Sequence, residues 1–439
     1  MPERGASPGE PWLRPPDGHA RYRTIEEARI VELLLLHGWA FDVRAGARAS
    51  AEREVGAALD QLVAMGLPHG RSETGARLFD PVETSNFLRW AHLRLGQATL
   101  ADRCVPNARR MVSQAHPPGV RPDAPPALEA LGPQRYAVTL RRSFNLEGRR
   151  PGERVRLRLP LPLEDGALDA VQIQFRPPEG VEVESAIAPA RLDALVAVPP
   201  DGQVTIGVKA TFTARPLIPA ASAARLDAAD AALYTRPSEG LIKVSDRVRR
   251  LADDIAGSER DAWAVLRRFW RFMLEDLACG SVHYDQLDPE RPADAVLDSG
   301  WYDCKLGSAL LASLCRARGI PARLVSGYML HVAAPDFHTW LEAWIDGFGW
   351  VPFDLFCWDL APAGRDEAWR DYYFGRLDHR MAVERLPRLF NGTGAVRLPD
   401  AWHRLVAADG RGSAAEFRAL ATGALVYREF IAVERLGGV

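Results

Sequence analysis

Three residues have the types and the chain order needed for thiol-based acyl transfer: Cys304, His338 and Asp354. Such chemistry needs a sulfur nucleophile, an imidazole to take and return its proton, and a carboxylate to orient the imidazole. Leu306, Leu310, Leu314 and Ala317 recur at helical spacing after Cys304, and Gly319-Ile320-Pro321 ends the run. Cys304 is therefore expected in the first turn of a helix. Unpaired backbone N–H groups and the positive end of the dipole favour a thiolate there, and the residue's own N–H can point at an oxyanion. Cys315, on nearly the same face ~16 Å further along, has apolar neighbours and is expected to be an inert core thiol. Asp303 would disfavour a neighbouring thiolate unless its carboxylate is taken up in capping the helix.

His338, Trp340 and Glu342 alternate with Thr339, Leu341 and Ala343, as in a strand. Asp346-Gly347-Phe348-Gly349 reads as a turn, and Trp350 to Asp354 as the return strand. A turn centred near Asp346 sets His338 directly opposite Asp354, with Cβ atoms roughly 5 Å apart. A slip of one residue would send the two side chains to opposite faces. In the expected register Asp354 accepts the Nδ1 proton and leaves Nε2 for the thiol. Asp346 and Asp359 compete for the role of Asp354. His331 reads as a loop residue outside the chemistry. Cys304, His338 and Cys357 have zinc-ligand types but no ligand spacing. No metal and no cofactor are expected.

Around these segments the chain divides into an α+β protein of several parts. Residues 1–20 read as a disordered tail, 21–118 as a helical N-terminal domain and 119–132 as a Pro-rich linker. Within the helical part, Thr24 and Glu27 suit a capping box with Ile30, Val31, Leu34 and Leu35 on one face; further helices fit Ala51 to Met65 and Glu83 to Leu95. Ala49 to Leu67 followed by Gly75 to Phe79 also fits a helix with a β wing. A simple helical interaction domain is the preferred reading, because Lys and Arg do not cluster on the second helix. Residues 133–215 read as an antiparallel, sandwich-like β domain, with alternating runs at Tyr136 to Phe144, Arg154 to Pro160, Ala170 to Phe175 and Val204 to Phe212. Residues 216–395 form the catalytic core, with helices at Val248 to Ile255 and Ala262 to Leu277. Residues 396–439 are a C-terminal extension packing on the core or the β domain.

Bulk properties narrow the partners. A net charge of −2 offers no electrostatic case for nucleic acid or a membrane surface. The first residues lack an apolar signal-peptide core, and the longest apolar run, near Val31 to Leu36, is too short to span a bilayer. Five scattered cysteines without Cys-x-x-Cys spacing suit free thiols in a reducing, cytoplasmic setting.

Taken together, residues 230 to 390 resemble the transglutaminase-like superfamily, relatives of papain-type cysteine proteases. The motifs that carry this are Asp303-Cys304-Lys305, Arg316 to Arg323, Ser326-Gly327-Tyr328, His338-Thr339-Trp340, Gly349 to Asp354, and Tyr373-Phe374-Gly375 with His379-Arg380. Leu157 to Pro162 is similar to the N-terminal β domain of bacterial members. The resemblance implies a papain-like core with Cys304 as nucleophile, His338 as base and Asp354 as orienting acid. It sets Tyr284 roughly where members supply an aromatic second oxyanion donor, with Trp301 and His283 as rivals and a packing role as the other reading. It also implies amide chemistry, hydrolysis or transamidation, on a peptide or other acyl donor. Two alternatives stand beside it: an amide synthase drawing on the thioester of an acyl or peptidyl carrier protein, and a catalytically silent peptide-binding module. Tyr302 and Leu355 stand where members usually have Gly and Pro, which marks the segment after Asp354 as the place where an acyl pocket could differ.

Overall fold

The computed structural model describes residues 25–26, most of 57–89, parts of 108–113, 124–387 apart from 285–286 and 333–334, and then 402–406, 413–418 and 425–437. The expected tail over 1–20 and most of the helix expected after Thr24 lie outside these residues. Where that helix should begin, Ile25–Glu26 form a strand instead, paired antiparallel with Leu78 and Phe79. Pairing with a sheet edge here overrides the local capping-box signal. Residues 57 and 59–64 are helical, with Leu59 and Leu62 buried. A β hairpin of Gly70–Arg71 and Arg77–Phe79 follows and completes a three-stranded sheet with Ile25–Glu26. The N-terminal part is thus not wholly helical. It has the helix-and-wing pattern that the sequence reading ranked second.

Residues 134–214 supply six strands rather than the four expected: Gln134–Asn145, Arg154–Pro160, Leu168–Arg176, Val183–Ala188, Arg191–Ala197 and Gln203–Ala214. The hairpin missed in the sequence turns at Ala190, whose φ of 62° lies in the left-handed region where sequence rules look for Gly or Asn. Strands Trp402–Val406, Ser413–Arg418 and Leu425–Arg435 extend the larger sheet, the last pairing with Tyr136 to Phe144 of strand Gln134–Asn145. Arg154–Pro160, Arg191–Ala197 and Val183–Ala188 form the second sheet. Leu140, Leu157, Leu192, Ile206 and Phe212 fill the space between the two sheets, each contributing roughly 1.5–3 kcal/mol by burial.

The same apolar cluster takes in Tyr328, Met381 and Val383 from a separate four-stranded antiparallel sheet, with Leu330 just past the end of one of its strands. That sheet runs Gly349–Phe353, Asp336–Ile345, Ala322–Met329, Arg380–Arg385. One of its faces therefore leans on the sandwich, and helix Cys304–Ala317 packs against its Asp336–Ile345 strand. Every helix residue from Lys305 to Arg316 is buried. Arg316, at the far end, is held by Ala322 O (2.9 and 2.7 Å), Glu239 Oε2 (2.7 Å) and Arg236 O (3.0 Å). Those partners compensate the buried guanidinium and fix where the helix stops.

Candidate active site

The helix carrying Cys304 begins where the sequence places it, at Cys304–Ala317. Asp303 is its cap: Oδ1 accepts from Lys305 N (3.1 Å) and Leu306 N (2.8 Å), while Oδ2 accepts a hydrogen bond from the Tyr284 hydroxyl. The carboxylate next to the sulfur is thus taken up on both oxygens. Close approach fixes the helix's first turn, since a Cβ at Gly307 would lie 2.4 Å from the Tyr302 ring. Ser308 Oγ donates to Thr339 O at 3.3 Å and ties the helix to the strand one residue past His338.

On that strand His338 lies opposite Gly327, and the hairpin beyond it pairs Leu341 with Phe353 and Ile345 with Gly349. The turn is therefore centred on Gly347, at φ 84°, rather than near Asp346. This shifts the register by two residues from the expected one. A slip of two preserves the face, so His338 and Asp354 still meet, diagonally instead of directly across. Asp354 sits just past the end of strand Gly349–Phe353. His338 Nε2 lies 2.7 Å from Asp354 Oδ1, which corrects the expectation that Nδ1 faces the carboxylate. Nδ1 is then the ring nitrogen not taken by Asp354, and the Cys304 sulfur is among the groups that act on the charge of the ring.

Charge in this cluster is strongly coupled. Burial pulls the His338 imidazolium down, but the Asp354 charge and the Cys304 sulfur outweigh it and hold the group at about 10. For Asp354 burial pushes upward, and His338, Arg380 and the Phe356 N–H together hold its carboxyl below the usual range. Phe356 N donates to Asp354 Oδ1 at 2.9 Å, and the Phe356 ring stands edge-on to His338 at 6.1 Å. Neither Phe356 nor Arg380 was assigned a part from the sequence. Arg380 Nη2 lies 3.2 Å from Asp354 Oδ2, and Arg380 Nε 2.8 Å from Asp378 Oδ1. The only sequence signal for Arg380 was its place in the segment that resembles family members beyond Asp354.

Other candidates fall elsewhere. Asp346 accepts from Trp344 Nε1 in the exposed turn, and Asp359 pairs with Arg89 at 2.6 Å, so neither reaches His338. Tyr284 lies close to Cys304, with its hydroxyl proton committed to Asp303. His283 Nε2 bonds Glu83 Oε1 at 2.7 Å, and Trp301 is buried in a strand paired with Ala278–Cys279. Cys315 is fully buried and its thiol is pushed up by burial. Cys357 Sγ accepts from Tyr373 N at 3.1 Å. Tyr302 and Leu355 are both buried against Gly307, so these two departures from the family pattern serve packing. His331 is not a free loop residue: it is buried and its Nε2 lies 2.8 Å from Asp378 Oδ2. Among the described residues Asp80, Glu83 and His283 place metal-ligand atom types within 4.8 Å of one another. The Glu83–His283 hydrogen bond and the capping of Glu83 N by Asp80 (2.9 Å) account for that grouping.

Residues 249–355, which include Cys304 and His338, match the family model described as the transglutaminase-like superfamily. A search of curated proteins gave no match. Among solved structures, a candidate cysteine protease from Cytophaga hutchinsonii is 17% identical, covering 70% of this chain and 93% of that one with a TM-score of 0.46. The periplasmic domain of TgpA from Pseudomonas aeruginosa is 16% identical, covering 61% and 96% with a TM-score of 0.29. Red sea bream transglutaminase is 10% identical, covering 63% and 60% with a TM-score of 0.25. The segment from helix Asp246–Ala256 through the Cys304 helix to the strand pair ending at Phe353 is a core of the transglutaminase-like superfamily.

Proposed function

We propose that the protein transfers acyl groups through a thioester on Cys304, making or breaking amide bonds. The Cys304 thiolate attacks a carbonyl carbon, forming a C–S bond and an oxyanion that the Cys304 N–H at the start of the helix can meet. As the tetrahedral adduct collapses, the C–N bond breaks and the His338 imidazolium gives its proton to the leaving amine. His338, now neutral, takes a proton from water or an acceptor amine, which attacks the thioester and releases Cys304. Asp354 fixes the ring by accepting at Nε2, and Arg380 holds the second carboxylate oxygen. The observation that carries this reading is an imidazole bonded to Asp354 on one side, with its protonation tied to Cys304 on the other.

The substrate reading is a peptide or other acyl donor. The free thiols at Cys279, Cys304, Cys315 and Cys357 suit the reducing cytoplasm proposed for it. Among the described residues, no helix is long and apolar enough to cross a membrane.

The test uses p-nitrophenyl acetate as an acyl donor. A stoichiometric burst of p-nitrophenolate with one acetyl group on Cys304, discharged by hydroxylamine, is expected. A carrier-type amide synthase would also give the burst and would then prefer acyl-pantetheine donors to amides. A silent binding module would give no Cys304 adduct in the wild type, which would refute the proposal.

A further inference from the structure

Resting on that reading, we infer that Glu83, Asn86 and Arg89 of the N-terminal part act together as a brace for the nucleophile, with Asn86 as a positioning residue. Asn86 behaves like a borrowed strand: its Nδ2 donates to Ser281 O (2.9 Å) and its Oδ1 accepts from Ser281 N (2.8 Å). It is buried, so both bonds are shielded from water and hard to replace. On either side of it Glu83 holds His283, and Arg89 holds Cys279 O (3.2 Å) and Asp359 (2.6 Å). Glu83, Asn86 and Arg89 therefore grip three residues of the 279–283 segment and also the helix that follows Asp354.

Gly280 shows how tightly the two parts are fitted. A Cβ there would lie 2.4 Å from Asn86 Oδ1 and 2.4 Å from Trp301 Cε3. The segment is thus held between the N-terminal unit and strand Trp301–Tyr302, which leads directly into Asp303 and Cys304. The next residue after the gripped segment, Tyr284, donates to Asp303 Oδ2. That bond draws negative charge away from the neighbour of the sulfur. If the brace is removed, Tyr284 drifts, and a less satisfied carboxylate beside Cys304 disfavours its ionised form. The N-terminal unit acts on the nucleophile through the route Asn86, Ser281, Tyr284, Asp303. It touches no reacting atom itself.

The experiment measures the rate of Cys304 alkylation by iodoacetamide from pH 5 to 9 on the full chain. Cys315, fully buried, serves as the internal reporter of unfolding. Wild type against His338→Ala first establishes whether Cys304 is activated, which tests the proposed function separately. Asn86→Ala is then expected to slow Cys304 on the order of tenfold near neutral pH and move its profile to higher pH, with Cys315 still protected. Asn86→Asp keeps the acceptor for Ser281 N and should recover part of the rate. Gly280→Ala, which pushes the same surfaces apart, should resemble Asn86→Ala and stands in for it should that variant not fold. Tyr284→Phe should give the same defect, and the Asn86→Ala, Tyr284→Phe double variant should be no slower than the worse single one. A wild-type profile in folded Asn86→Ala or Gly280→Ala would overturn the inference. So would additive defects, or Cys304 slowing only where Cys315 becomes labelled.

Discussion

Two buried His–Asp pairs lie side by side in this molecule and share one arginine. His338 Nε2 meets Asp354 at 2.7 Å, and His331 Nε2 meets Asp378 at 2.8 Å. Arg380 lies between them, 3.2 Å from Asp354 and 2.8 Å from Asp378. Burial and local geometry hardly distinguish the pairs; their remaining neighbours do. His338 has a cysteine at the head of a helix, whereas Asp378 takes its further hydrogen bond from the Tyr373 hydroxyl at 2.7 Å. A His–Asp pair is thus a way to bury charge safely in a core, and under the proposed function the sulfur beside His338 is what sets one of them apart for chemistry.

The largest expected effect separates the pairs directly. His338→Gln should slow acylation of Cys304 by roughly 10^5-fold, while His331→Gln should leave acylation at the wild-type rate, both read from the p-nitrophenolate burst. Asp354→Asn follows, with a loss on the order of 10^4-fold, because an amide cannot hold the imidazolium as a carboxylate does. If Asp378→Asn matched that loss, the two pairs would be functionally equivalent and the distinction would collapse.

The shared arginine tests stability. Arg380→Met leaves two buried carboxylates without their cation and should cost about 3–5 kcal/mol in urea unfolding. His331→Gln should cost less, ~1–3 kcal/mol.

The pH dependence has opposite signs for the two kinds of group. Asp354, Asp378 and Glu342 are held below their usual range, so their contribution is present above the unfolded carboxylate values and is lost as pH falls through the folded ones. Stability should therefore drop steeply below about pH 4, and Asp378→Asn should flatten that slope. His338 is raised to about 10, so its contribution is complete below its unfolded value and disappears as pH rises through about 10. The stability gap between wild type and His338→Gln should accordingly close between pH 6 and pH 10.

The sequence made some of this visible and hid the rest for physical reasons. The start of the Cys304 helix was legible because Leu306, Leu310 and Leu314 mark a period and Asp303 is a standard cap. The shared face of His338 and Asp354 was legible because a strand alternates. The turn centre was not: Gly347 and Gly349 both take positive φ, and the difference between two centres is a tertiary matter. Choosing Nδ1 for Asp354 followed from assuming a directly opposed pair. Arg380 and His331 could not be placed because nothing local says that residues far apart in the chain converge on two carboxylates. The strand at Ile25–Glu26 was hidden by a local capping-box signal that sheet pairing overrode.

The most direct test of the central claim is the iodoacetamide labelling rate of individual cysteines at pH 6, read by peptide mass spectrometry. Cys304 should outpace Cys315 and Cys357 in the wild type and in His331→Gln, and lose that lead in His338→Gln. Labelling of Cys304 that is no faster than that of Cys315, or that is indifferent to His338→Gln, would contradict the account.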